Sequence, residues 1–333
     1  MAQFLKKQLK SAISSTNHLL GRYRDKILIL GDGRSGTNWL LEIINYDKRL
    51  RLIYEPFHGA EFRPKLSPDI EYPSADAKLA AELSTQLSRA ARGAYLTKNV
   101  TIEFPRLFYD GLIIKDVNAH LIADDLDQAM PDLKKVLILR HPFAVALSKS
   151  RYKGHSWPTP ATYFLREDVA LSNSLRYSLA ARSKIIERAS QHSNPVLNWV
   201  CIWCILHSAL FSAKSIASYH VVLYEDFVRE PALQAQPLFR ALGQSSRYQK
   251  HHRAILDNAT RPSRVTQKDN VIANSVAGNA AWLADYDSET ISHGMEILEG
   301  FGMDRLYIDQ HFPKLSADLL SQALTGNARS WLS

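Results

Sequence analysis

Two cysteines among 333 residues, Cys201 and Cys204, exclude a disulfide framework. So few thiols suit a reducing compartment, and the expected location is cytoplasmic. Fourteen glycines and fourteen prolines are too few for collagen-like or low-complexity chains. No stretch reaches the roughly 18 consecutive apolar residues that cross a bilayer. The nearest, Trp199 to Phe211, contains Cys201, Cys204, His207 and Ser208 and reads as a buried core helix. The N-terminus lacks the apolar run and small-residue cleavage site of a signal peptide. What is present is globular in composition, with 46% hydrophobic and 22% charged residues. The length accommodates one large core or two modest domains. Basic residues outnumber acidic ones by 41 to 33, a net charge of +8. Such an excess favours an anionic partner: a nucleotide, a sulfated or phosphorylated substrate, a nucleic acid or a membrane surface. A merely solvated basic surface is the plain alternative.

Five short apolar, β-branched runs predict buried strands: Lys26 to Leu30, Arg51 to Tyr54, Leu112 to Lys115, Val136 to Arg140 and Val221 to Tyr224. Helical patterns lie between them, at Asn38 to Tyr46, Phe143 to Tyr152, Leu165 to Ala189 and Val196 to Ala217. Strands alternating with helices predict an α/β fold whose parallel sheet is covered on both faces. Residues 61–106 read as an insertion carrying an Ala-rich helix from Ala75 to Ala91, and Arg261 to Ala281 as a loop or lid. Phe4, Leu5, Leu9 and Ile13 recur at helical spacing beside Lys6, Lys7 and Lys10, so residues 1–25 read as a basic amphipathic helix. That helix either packs on the body or touches a membrane surface.

Two segments carry the chemistry. The first strand runs into Gly31-Asp32-Gly33-Arg34-Ser35-Gly36-Thr37-Asn38-Trp39, a Gly-rich turn before a helix. Such a turn aims backbone amides and the positive helix end at an anion. Three readings stand. Gly31, Gly33 and Gly36 match a dinucleotide fingerprint, with Glu55 lying 19 residues after Gly36. Gly31 and Gly36 have the spacing of a nucleoside-triphosphate loop, but its lysine is missing and Thr37 follows directly. In the third, Gly33, Arg34, Ser35, Gly36, Thr37 and Asn38 hold a phosphate through a guanidinium, amides and hydroxyls without a metal. The second segment is Leu139-Arg140-His141-Pro142 at a strand end, with Ser148 eight residues after Arg140. A strand-end Arg sits at the carboxyl edge where open α/β sheets bind ligands. A Ser two helical turns later faces the same side and adds a second donor, so the pair grips a separate phosphate.

Gly-Arg-Ser-Gly-Thr after one strand, and Leu-Arg-His-Pro with Ser at +8 after another, resemble the sulfotransferases that use 3′-phosphoadenosine 5′-phosphosulfate (PAPS). The first is similar to their 5′-phosphosulfate loop, the second to their 3′-phosphate motif. Val-Val-Leu-Tyr-Glu-Asp at Val221 to Asp226 resembles a late core strand of the family, and Trp282 with Asp285 to Gly302 its C-terminal helix. The resemblance implies a P-loop-like three-layer sandwich around a parallel sheet of about five strands, occupying residues 26–310 and followed by a tail at 311–333. Arg34 resembles the loop of the carbohydrate and tyrosylprotein branches, where small-molecule members commonly carry Lys. His141 departs from the acidic residue many members carry.

Sulfuryl transfer asks for cations at the leaving phosphate and a base at the acceptor. The resemblance implies Glu55, at the end of the second strand, as general base, and Lys115, at the end of the third, as the cation facing the transferring group. His58 is the reserve base. The plain alternatives are a salt-bridged structural role for Glu55 and, for Lys115, a structural ion pair with Asp116 or Asp110. The implied co-substrate is PAPS with no metal, and the implied partner is a glycan or other hydroxyl-bearing acceptor, with no nucleic acid and no transmembrane segment. The rivals are a P-loop kinase or nucleotidase, and a non-enzymatic protein that binds nucleic acid or membranes. Cys201-Ile202-Trp203-Cys204 lacks a second ligand pair for zinc and reads as helix packing.

Overall fold

The computed structural model describes residues 2–57, 80–93, 106–151, 160–167, 169, 171–263, 281–307 and 320. Its centre is a five-stranded, all-parallel sheet in the order β2-β3-β1-β4-β5. The strands are β1 (Asp25–Leu30), β2 (Leu50–Tyr54), β3 (Gly111–Asp116), β4 (Leu133–Leu139) and β5 (Tyr219–Leu223). All five expected strands exist. The alternation of side chains along each strand feeds two cores. Ile27 and Ile29 of β1, with Ile113, Val136, Ile138 and Val222, join helices α2 (Thr37–Ile44), α10 (Pro231–Ala241) and α11 (Ser245–Ala259). Leu28 and Leu30, with Leu112, Ile114, Leu137 and Leu139, join α3 (Ala80–Ala91), α4 (Ala123–Ala129), α5 (Pro142–Ser150), α7 (Ser183–Gln191) and α8 (Pro195–Ser212). Every apolar residue of β1 is fully buried, which explains a continuous apolar run rather than a polar alternation.

The expected boundaries shift where side chains find specific partners. β4 begins at Leu133 rather than Val136, because Lys134 pairs with Asp25 at 2.7 Å and Lys135 with Asp127, so two lysines fit within the strand. Arg140 therefore follows the strand instead of closing it. Tyr224 does not end β5; it opens the short helix α9 (Tyr224–Arg229) and packs edge-on against Trp39 at 5.2 Å. The helix expected over Leu165 to Ala189 is broken. A 3₁₀ turn covers Ala161–Leu165, Ser172 caps α6 (Asn173–Ala181), and Arg182 separates α6 from α7. Arg182 is held outside helical geometry by bonds from its guanidinium to the carbonyls of Gly300 (2.8 Å) and Ser178 (3.1 Å).

The core helix is shorter than the expected Val196 to Ala217: it ends at Ser212, and a 3₁₀ turn covers Lys214–Ser218. α8 spans 18 residues, starts at an Asn194 cap with Pro195 in its first turn, and lies between α5 and the C-terminal helix Ser288–Gly300. Its length and composition match a membrane span, yet 72% of that window is buried inside the protein. Cys201 and Cys204 are buried in it, and burial pushes the Cys201 thiol up to about 12. The N-terminal helix α1 (Ala2–Leu19) docks on the body: Asn17 bonds the Leu107 carbonyl and the Tyr109 amide, both at 2.8 Å, and Ser14 bonds the Gly93 carbonyl. Leu9, placed on its apolar face by the sequence, is 59% exposed. Most of the expected insertion, His58 and nearly all of the loop at 261–281 lie outside the described residues, as does the tail apart from Leu320.

Candidate active site

The Gly-rich loop joins β1 to α2 and rests on β4. A Cβ at Gly31 would stand 2.6 Å from the Ile138 carbonyl, so only glycine lets the loop cross that strand. Gly36 has φ 95°, and its Cβ would stand 2.8 Å from the Tyr224 ring. At Gly33 the nearest atom to such a Cβ is the Lys149 Cε at 3.9 Å, so this side of the loop is open. Gly36 caps α2 without a side-chain acceptor, and the first turn has no acidic residue. The amides there are left to an external acceptor, in the field of the helix end. The Ser35 hydroxyl and the Asn38 carbonyl oxygen are buried without a hydrogen-bond partner. A buried polar group left in that state costs about 1–3 kcal/mol, the pattern expected of a ligand cradle.

The second motif meets the first directly. β1 and β4 are neighbours, and two turns of α5 bring Ser148 back over the strand ends. The Arg34 Nε donates to the Ser148 hydroxyl at 2.8 Å, and an Arg140 guanidinium nitrogen donates to the Arg34 carbonyl at 3.1 Å. The Arg140 guanidinium also lies 4.4 Å from the centre of the Tyr224 ring. Arg140 and Ser148 are buried. The two motifs, read from the sequence as separate grips, thus form one cluster.

Glu55 and Lys115 also come together, at the tips of β2 and β3 beside β1. Tyr54 and Lys115 are register partners, and the Glu55 amide donates to the Lys115 carbonyl at 2.7 Å. The Lys115 ammonium pairs with the Glu55 carboxylate, not with Asp116 or Asp110. Asp110 pairs instead with Arg22 and Arg49. Burial works to lower the Lys115 pKa, but the Glu55 charge, with Tyr54, outweighs it and holds the ammonium above its ordinary range. Asp116 does a different job: its carboxylate accepts the Phe57 amide at 3.0 Å and the Asn118 amide at 2.7 Å, fastening the turn after Glu55. Burial raises it to about 6.

Backbone strain marks the same residues. Among the described residues, the non-glycines with left-handed φ are Arg34 (75°), Glu55 (46°) and Lys48 (55°). Such conformations cost about 1–3 kcal/mol and concentrate at functional sites. Two of these three residues belong to the candidate site.

Sequence reasoning missed four residues here: Asp32, Lys149, Tyr224 and Glu225. Asp32 offered a signal, because a carboxylate inside an anion loop requires a cation. Tyr224 and Glu225 stood in the Val221 to Asp226 motif, but only the fold brings them beneath Arg140 and His141. The His141 amide donates to the Glu225 Oε1 at 2.8 Å, while Oε2 is buried without a partner. Burial lifts this carboxyl to about 7, against the pull of the His141 bond. The folded chain therefore keeps a proton that the unfolded chain releases at lower pH. The contribution to stability is full below the ordinary carboxylate range and is lost as pH rises toward 7. The wild-type melting temperature should consequently fall more steeply between pH 4.5 and 7.5 than that of Glu225→Gln. Parallel melting curves from scanning fluorimetry would refute this.

No protein-family model matches the chain, and no curated protein matches it. Among solved structures it is similar to a crystal structure of mouse sulfotransferase SULT7A1 complexed with PAP, at 15% identity and a TM-score of 0.39, over 87% of this chain and 91% of that one. A likeness at that identity and TM-score says nothing about the chemistry of this chain. What the chain itself presents is an α/β sheet with two basic motifs joined at its carboxyl edge, flanked by a Glu–Lys pair.

Proposed function

We propose that the chain is a sulfotransferase that moves a sulfuryl group from PAPS to an acceptor hydroxyl, on a glycan or other biomolecule, by in-line displacement. The observation that carries this reading is the bonded cluster of Arg34, Ser148 and Arg140 at neighbouring strand ends. Its donor set fits a nucleotide with anions at two positions: an uncapped helix start, an orphaned Ser35 hydroxyl, two guanidiniums and the Ser148 hydroxyl. When bound, PAPS supplies a sulfuryl group on a phosphate leaving group.

The residues divide the work by position. Gly33, Arg34, Ser35, Gly36, Thr37 and Asn38 hold the phosphosulfate end, and Arg140 and Ser148 the 3′-phosphate. For this, Arg34 and Ser148 must exchange their mutual bond for bonds to anions, which guanidinium and hydroxyl donors favour. Glu55 takes the acceptor proton on its carboxylate. Lys115 supplies the positive charge beside it, and the pair separates as negative charge builds on the leaving side. Lys115 and Glu55 occupy each other until that separation, so proton abstraction is coupled to occupancy of the loop. The proposal includes a cytoplasmic location and membrane contact through α1, whose end leaves Leu19 and Leu20 exposed.

The test is thermal stabilisation by adenosine 3′,5′-bisphosphate against ATP with Mg²⁺. At 100 times its dissociation constant the bisphosphate should add about 2.7 kcal/mol. Stabilisation by ATP with Mg²⁺ alone would reject the sulfotransferase reading in favour of a kinase.

A further inference from the structure

Asp32 is an anomaly in a loop built to receive an anion. It is 1% exposed, and its carboxylate lies within the Gly-rich turn, where a fixed negative charge opposes the ligand. Among the described residues, the Lys149 side chain answers it. The Lys149 ammonium reaches both Asp32 oxygens at 2.7 Å, although 117 residues separate the two in the chain. Lys149 is 5% exposed, and its ammonium lies 4.8 Å from the centre of the Trp199 ring on α8. It stands on α5 directly after Ser148, so it ties the first half of the loop to the helix that carries the second motif. Three cross-links then span the two motifs: Lys149 to Asp32, Arg34 to Ser148, and Arg140 to the Arg34 carbonyl.

We propose that Lys149 is a positioning residue that cancels the Asp32 charge and thereby makes the loop an anion site. The inference rests on the functional reading above for the identity of the nucleotide, but not for the loop's affinity for anions. Breaking a buried ion pair by removing one partner leaves an uncompensated charge, whereas neutralising both partners is often tolerated. Lys149→Met leaves the Asp32 carboxylate under the loop; Asp32→Asn with Lys149→Met leaves no charge. The titratable groups facing the pair are His207 on α8 and His120 after β3. Burial lowers His207 to about 4 and His120 well below its ordinary range, so both are neutral above pH 6.

The experiment titrates wild type and both variants with inorganic pyrophosphate and with adenosine 3′,5′-bisphosphate, following binding by calorimetry and folding by circular dichroism. For Lys149→Met we expect a dissociation constant for pyrophosphate at least tenfold above wild type at pH 8. The double variant should bind within threefold of wild type, which holds even if the single variant folds poorly. An unchanged constant in Lys149→Met, or a double variant as weak as the single, would overturn the proposal. Wild type that binds pyrophosphate but not the bisphosphate would reject the sulfotransferase reading and leave the role of Lys149 standing. Wild type that binds neither would reject both.

Discussion

Replacing Arg140 with alanine should abolish the stabilisation that adenosine 3′,5′-bisphosphate gives the wild-type chain. Arg140 emerges from β4 next to the Gly-rich loop, donates to the Arg34 carbonyl at 3.1 Å and stacks on Tyr224 at 4.4 Å. The substitution removes a pre-oriented guanidinium from a buried position, and two charge-assisted bonds to a phosphate contribute about 1.5–3 kcal/mol each. The bisphosphate constant should rise about a hundredfold or more. Arg140→Lys should recover only part of that, because an ammonium keeps the charge but loses the planar fork. Scanning fluorimetry across a bisphosphate titration reads the effect. A wild-type shift retained in Arg140→Ala would remove this residue from the site.

Glu55→Gln should lower turnover by about 10²–10⁴-fold while leaving bisphosphate binding close to wild type. The amide keeps the shape and the backbone bond from residue 55 to the Lys115 carbonyl. It cannot take a proton at neutral pH. It also leaves the Lys115 ammonium, 2% exposed, without its countercharge, so the variant should melt at a lower temperature than wild type. Turnover is therefore measured well below that melting point, with radiolabelled donor against a panel of glycans, peptides and lipids. Normal turnover in Glu55→Gln would show that the acceptor proton leaves by another route. Weakened bisphosphate binding would instead place Glu55 in the nucleotide cradle.

Much of the site was legible because its parts are local. A strand, a Gly-rich turn and a helix start within about fifteen residues, and a strand-end Arg with a Ser two helical turns on is also a short pattern. Both motifs lie where the pattern put them, on adjacent strands. The helix boundaries were less legible. The long pattern at Leu165 to Ala189 has helical periodicity throughout, and it breaks at Arg182 because a carbonyl of the C-terminal helix competes for that guanidinium. Periodicity reports which face is apolar and carries no information about such a competition.

The amino-acid order alone determined the five buried strands, the parallel α/β layering and the positions of the two motifs at the sheet's carboxyl edge, because each depends on hydrophobic period or on backbone freedom within a few residues. The tertiary structure alone decided the charge pairing. Glu55 meets Lys115 from 60 positions away, and Asp32 meets Lys149 from 117. A buried charge selects whichever opposite charge the sheet order brings to it, since leaving it unpaired costs more than any local preference can offset.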